Sequence, residues 1–104
     1  MLVILNKDYT TDLSKIWSVY IVKCSDGTLY TGISNDVEKR ILTHNTGKGA
    51  KYTRARLPVF LVYVKEIGNR SEVSKEEHRI KKLTRVHKLL LINEYKLKIK
   101  QLKE

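Results

Sequence analysis

Two runs near the start of the chain carry the pattern of β-strands. Trp17 to Cys24 and Thr28 to Ser34 are rich in β-branched and aromatic residues, and Ser25-Asp26-Gly27 between them is a hairpin signal. Asn35 followed by Glu38 has the spacing of a capping box. A helix is therefore predicted to start near Asp36 and to stop at Gly47, a natural left-handed terminator. Lys48 to Leu57 reads as a basic loop. Pro58 then opens a continuous apolar run, Val59-Phe60-Leu61-Val62-Tyr63-Val64, which reads as a strand covered on both faces, and Gly68-Asn69 breaks it. A second helix is predicted from about Ser71 to Leu83, and a third from Thr84, its cap, through Ile92. Residues 93–104 set Leu97, Ile99 and Leu102 among Lys96, Lys98, Lys100 and Lys103, a pattern open to a frayed helix, a strand or a basic tail. Residues 1–15 have no clear period and read as an N-terminal extension, with one added strand at Leu2-Val3-Ile4-Leu5. The pattern has no internal repeat and no linker, so residues 16–92 read as one domain between that extension and a basic C-terminal tail, 93–104.

The Asp-Gly turn allows two hairpin registers, and they differ in consequence. A two-residue loop at Asp26-Gly27 puts Tyr20 and Tyr30 on opposite faces of the sheet. A three-residue loop, Ser25-Asp26-Gly27, pairs Tyr20 with Gly32 and Val22 with Tyr30. The tyrosines then share a face as diagonal neighbours, ~7–8 Å apart. The second register is favoured because it places Gly27 where a left-handed residue is required. It also sets the bare backbone of Gly32 beside the Tyr20 ring. Tyrosine is a common strand residue, so each alone reads as packing.

Helical periodicity brings chemistry to the edges of two apolar stripes. On the first helix Arg40 and His44 are i, i+4 neighbours beside the seam of Val37 and Ile41, so both lie near the sheet. On the second, Glu76 and Glu77 flank the stripe of Val73, Ile80 and Leu83. A carboxylate drawn toward a core needs a cation, either a basic side chain or a metal. Periodicity alone does not choose between the two acids.

Composition narrows the function. The 104 residues carry 21 Lys and Arg against 11 Asp and Glu, a formal charge of +10. Such a balance is the electrostatic footprint of a nucleic-acid binder. No apolar run approaches the ~18 residues a membrane helix needs. The apolar start, Met1 to Leu5, has no basic stretch before it, unlike a secretory signal. The single cysteine, Cys24, excludes an internal disulfide framework and a cysteine-rich zinc site, and suits a reducing cytoplasm.

In chain order these residues resemble a GIY-YIG nuclease domain. Ser18-Val19-Tyr20 stands where the first motif belongs and Tyr30-Thr31-Gly32 where the second does. Leu29-Tyr30-Thr31-Gly32-Ile33, the segment from His44 through Gly47-Lys48-Gly49-Ala50-Lys51-Tyr52-Thr53-Arg54, and Ile80-Lys81-Lys82-Leu83 are similar to the small stand-alone YhbQ/YazA-like group. The likeness covers about residues 17–92. It departs from the wider pattern at Ser18, which replaces the motif glycine, and at Ile33, where the UvrC-type branch has a lysine. The resemblance implies an α+β fold, β-β-α-β-α-α, with a three-stranded antiparallel sheet and helices packed on it. It also implies metal-dependent phosphodiester cleavage, with Tyr20 and Tyr30 as motif tyrosines, Arg40 as active-site arginine and His44 in support. The metal-binding acid falls on Glu77, three positions before Ile80-Lys81-Lys82.

The chemistry suits these residue types. Tyr20 serves as general base only if its proton is made easier to lose, which Arg40 and a divalent cation favour. Arg40 suits a forked contact to phosphate oxygens. One carboxylate, Glu77, is enough for Mg²⁺ (or Mn²⁺), since Mg²⁺ keeps most of its waters. Lys48, Lys51, Arg54 and Arg56 form a basic surface for a nucleic-acid backbone, and Tyr52 offers a ring on which an unpaired base could stack. The function expected is a DNA-directed endonuclease, structure-selective and repair-related, with DNA preferred over RNA. A one-domain nuclease of this kind suits narrow substrates or a protein partner that supplies targeting. The alternative is a non-catalytic nucleic-acid-binding module that retains the fold.

Overall fold

The structure, a computed structural model, describes residues 16–103. The expected strand at Leu2–Leu5, with the rest of the extension 1–15, lies outside the described residues. Strands β1 (Trp17–Lys23) and β2 (Leu29–Ser34) form an antiparallel hairpin. Its loop is the three-residue one. The Cys24 N–H donates to the Thr28 carbonyl at 2.8 Å and the Gly27 N–H to the Cys24 carbonyl at 2.9 Å. Gly27 sits at φ +85°, in the left-handed region that an L side chain resists. The Asp26 carboxylate braces the turn, accepting from the Thr28 N–H at 3.0 Å and its hydroxyl at 2.6 Å. Tyr20 consequently lies opposite Gly32, and Val22 opposite Tyr30.

Strand β3 (Phe60–Gly68) pairs antiparallel with the far side of β1, giving the order β2-β1-β3. This corrects one reading of the apolar run. β3 is an edge strand with Phe60 60% exposed, and the strand buried on both faces is β1, in the centre. A bulge adds to the difference. Ile21 pairs with Tyr63 and Val22 with Leu61, so Val62 is the extra residue, and Val62 and Tyr63 turn to the same core. An uninterrupted apolar run therefore came from an irregular edge, where strict alternation fails.

Helix α1 (Val37–Asn45) is capped by Asp36, which accepts from the Lys39 N–H at 3.2 Å. The predicted Asn35–Glu38 box is displaced by one residue, because Ser34 first captures the Asp36 N–H at 2.9 Å. Gly47 ends the helix at φ +81°. The expected basic loop, Lys48 to Leu57, contains one helical turn, α2 (Lys51–Arg54). Helix α3 (Arg70–Lys81) starts from a capping box, Asn69 with Glu72. Helix α4 (Arg85–Lys103) follows Thr84, whose hydroxyl accepts from the His87 N–H at 3.3 Å. It runs past Ile92, so helix is the conformation of residues 93–103. Among the described residues no helix is long and apolar enough to cross a membrane.

The sheet divides two cores. Odd residues of β1, Val19 and Ile21, meet Tyr63, Val73, Ile80 and Ile92 under α3 and α4. Even residues, Tyr20 and Val22, meet Cys24 and Val59, with Val37 and Ile41 of α1. Asn45 ties the end of α1 to the start of β3 with a paired contact: its Oδ1 accepts from the Val59 N–H at 2.8 Å, and its Nδ2 donates to the Val59 carbonyl at 3.1 Å.

Candidate active site

Tyr20 projects from the central strand onto the α1 face and is 1% exposed. Its ring lies on the backbone of Gly32, where a Cβ would stand 2.5 Å from the hydroxyl oxygen and 2.6 Å from Cζ. No other residue type leaves that space. The hydroxyl is 2.8 Å from Nε2 of His44, on the last turn of α1. His44 is fully buried. Its other nitrogen, Nδ1, is 2.8 Å from Oγ1 of Thr53 in α2, itself fully buried. The Thr53 hydroxyl is in turn 2.9 Å from the Ala50 carbonyl and donates to it. A Cβ on Gly49 would strike the His44 ring and stand 2.8 Å from its Cα, so this glycine is what admits the imidazole.

Tyr30 lies beside this chain of contacts. Its ring meets the His44 ring edge-on, centroids 5.5 Å apart, and stacks on Tyr52 at 6.0 Å. Arg40, half-buried and one turn before His44, has no carboxylate partner within ion-pair distance among the described residues. Burial pushes the Tyr20 hydroxyl above its ordinary pKa. The Arg40 guanidinium opposes that, and the negative charges that Tyr30 and Glu77 can carry add to it. Burial, then Arg40, holds the His44 imidazolium below the ordinary histidine value, so His44 is neutral near pH 7.

Helix α3 separates its two acids. Glu76 turns to the Tyr63 side and is forked to Arg79, at 2.8 and 2.7 Å, which holds its carboxyl below the usual range. Glu77 turns to the Tyr20 side. It pairs with Lys81 at 3.1 Å, and Lys81 lines a cleft with Leu29, Tyr30, Thr31, Tyr52 and Lys88. The two acids that periodicity left equivalent thus have different surroundings. Glu77 fits the chemistry of a hard divalent cation. It is partly exposed, its one ion-pair partner among the described residues is the half-exposed Lys81, and Mg²⁺ needs only one or two carboxylates beside water and substrate oxygens. His44, with both nitrogens engaged, is not a ligand.

Two expected nucleic-acid contacts have partners within the chain. Arg56 donates to Asp26 at 3.0 Å and to the Tyr52 carbonyl at 2.8 Å, and its guanidinium lies 3.9 Å from the Tyr52 ring centre. It braces α2 against the hairpin turn. Tyr52 lies between Arg56 and Tyr30, stacked on the Tyr30 ring, and remains exposed at the cleft. Lys48, Lys51 and Arg54 are exposed, with no ion-pair partner among the described residues. The sequence reading missed Gly49, Thr53 and Lys88. A period in a basic loop was not there to find, though the glycine two places after the Gly47 terminator was a signal of close approach.

The GIY-YIG catalytic domain model matches residues 16–90. The chain belongs to the GIY-YIG family. It is similar to the UPF0213 protein SSP2268 of Staphylococcus saprophyticus, with 55% identity over 76 residues, 73% of this chain and 93% of that protein. It is also similar to the UPF0213 protein SAG0778 of Streptococcus agalactiae, with 53% identity over 78 residues, 75% of this chain and 89% of that protein. Among solved structures it resembles the protein EF2693 of E. faecalis, with 38% identity, a TM-score of 0.55, and coverage of 80% of this chain and 88% of that one. The match spans nearly the whole of both relatives, and the GIY-YIG domain implies nuclease-type activity.

Proposed function

We propose that this protein is a divalent-metal-dependent endonuclease that hydrolyses phosphodiester bonds in DNA, structure-selective and repair-related. The observation that carries the reading is the convergence on one hydroxyl: Tyr20 is bonded to His44, and Arg40, Tyr30 and Glu77 all act on its acidity. Those groups cover what the reaction needs. Arg40 is a forked donor for phosphate oxygens, with no carboxylate competing for it among the described residues. Tyr20 takes a proton from the attacking water once its own is removed. Tyr30, wedged between His44 and Tyr52, fixes the position of the ring pair. Mg²⁺ or Mn²⁺ held by Glu77 would supply Lewis-acid neutralisation of the phosphate and the leaving oxygen. Lys48, Lys51 and Arg54 on one side, with Lys81 and Lys88 in the cleft, suit a charged backbone. Phosphate contacts carry no sequence information, which is why selectivity is assigned to substrate shape.

One observation favours the alternative, a binding module without turnover: Tyr20 is almost wholly buried and its proton is held more tightly than usual. The test is single-turnover cleavage with Mg²⁺ on single strands, duplexes, flaps and junctions. Cleavage by the wild type and by Glu76→Ala, lost in Glu77→Ala with binding retained, is the expected result. Binding without cleavage on every substrate would establish the module instead. Equal loss in the two glutamate variants would overturn the assignment of Glu77.

A further inference from the structure

The partners of His44 decide where its proton sits. Two networks can be written. In the first, the Thr53 hydroxyl gives its single hydrogen to the Ala50 carbonyl at 2.9 Å and meets Nδ1 with a lone pair, so Nδ1 carries the hydrogen. Nε2 is then bare and accepts the Tyr20 hydroxyl proton at 2.8 Å. In the second, Thr53 donates to Nδ1 and Nε2–H donates to Tyr20. The Thr53–Ala50 contact then has no hydrogen in it, and the Tyr20 proton has no acceptor at hydrogen-bond distance among the described residues. A buried hydroxyl without an acceptor is disfavoured, so the first network holds.

We propose that Thr53 is a positioning residue: its hydroxyl, turned by the Ala50 carbonyl, locks buried His44 as the Nδ1–H tautomer and leaves Nε2 free to draw the proton from Tyr20. The catalytic consequence rests on the nuclease reading; the tautomer does not. In that reaction the water oxygen bonds to phosphorus while Tyr20 takes the water proton and passes its own to Nε2, and the P–O bond to the leaving strand breaks with its electron pair on that oxygen. The buried imidazolium faces only Tyr20 and Thr53, so its proton returns to Tyr20, whose hydroxyl gives one to the leaving oxygen. A ring protonated at Nε2 cannot take the Tyr20 proton, and a wrong tautomer in a comparable relay can cost up to ~10⁴ in rate. Gly49 makes the arrangement possible by leaving the ring its space.

The test is ¹⁵N NMR of the two His44 nitrogens in the free protein, with cleavage measured in parallel. The wild type is expected to show Nδ1 protonated and Nε2 bare. Thr53→Val keeps the shape and removes the hydroxyl. It should move the proton toward Nε2 and lower the single-turnover rate at saturating substrate by about 10²-fold, with substrate affinity unchanged. Thr53→Ser should restore both spectrum and rate. Nε2 protonation in the wild type, or an unchanged His44 spectrum in folded Thr53→Val, would overturn the proposal. The spectrum is read without substrate. Failure to cut any nucleic acid would therefore remove the nuclease reading alone, and Thr53's hold on His44 would still stand or fall on the nitrogen shifts.

Discussion

Gly49→Ala is the sharpest perturbation this site offers. The added methyl has nowhere to go: it would overlap the His44 ring and stand 2.8 Å from the His44 Cα, a backbone atom that cannot rotate away. Overpacking of this kind costs about 1–3 kcal/mol. Moving the imidazole also stretches its hydrogen bonds to Tyr20 and Thr53, each worth about 0.5–1.5 kcal/mol. The sum is about 2–6 kcal/mol, against a total stability of about 5–15 kcal/mol for a domain. At about 4–8 °C per kcal/mol for a chain near this size, Tm should fall by about 10–50 °C. Gly27→Ala is the matched control. It adds a methyl into open space, so its cost is backbone strain alone, about 1–2 kcal/mol, and Gly27→Asn should recover part of it. Thermal and urea melts of the three variants give the stabilities. At a temperature where each is folded, cleavage should be impaired only in Gly49→Ala. A Gly49→Ala protein that melts within a few degrees of the wild type and cuts normally would refute the placement of His44.

Tyr20→Phe keeps the ring over Gly32 and removes one hydroxyl, so folding should survive while the single-turnover rate drops by roughly 10²–10⁴; an undiminished rate would overturn the role of Tyr20. Nucleic-acid affinity should fall as salt rises, and charge reversal at Lys51 and Arg54 should weaken binding to all sequences alike and flatten the salt slope by about one unit per lost phosphate contact, as titrations at several salt concentrations would show. Stability should depend on pH through His44. Its folded-state pKa lies below the unfolded ~6.5, so the unfolded chain binds the extra proton first and stability is lost as pH falls below that value, at no more than about 1.4 kcal/mol per unit. Melts between pH 8 and pH 5 should show this loss in the wild type and not in His44→Gln.

Much of the arrangement was legible because local rules coincide with it. The parity of the hairpin follows from Gly27, and the shared face of Tyr20 and Tyr30 follows from that parity. Arg40 and His44 reach the sheet because their spacing puts them beside Val37 and Ile41. Other features depend on contacts between distant segments. Tyr52 and Arg56 look like free ligand-binding groups in sequence, but Asp26, thirty positions earlier than Arg56, claims the guanidinium and draws the tyrosine into a stack. Thr53 lies in a stretch without periodicity, and only the fold brings it to His44. The edge position of β3 was hidden for a similar reason: strand order is a tertiary property, and its bulge blurs the alternation that marks a half-buried strand.

The division of the sheet into two cores has a consequence for when the site comes into being. Tyr20, Tyr30, Arg40 and His44 belong to the α1 face, whereas Glu77 arrives on α3, which is anchored in the opposite core through Val73 and Ile80. The carboxylate is tied to Lys81, which shares a cleft with Tyr30 at the β2 border of the sheet. A chain with one face docked and the other loose holds either the tyrosines or the acid, but never the complete set. Assembly of the proposed centre is thereby conditional on both layers being closed, and on the nuclease reading incompletely folded molecules, the ones least able to choose a substrate, would lack the means to cut.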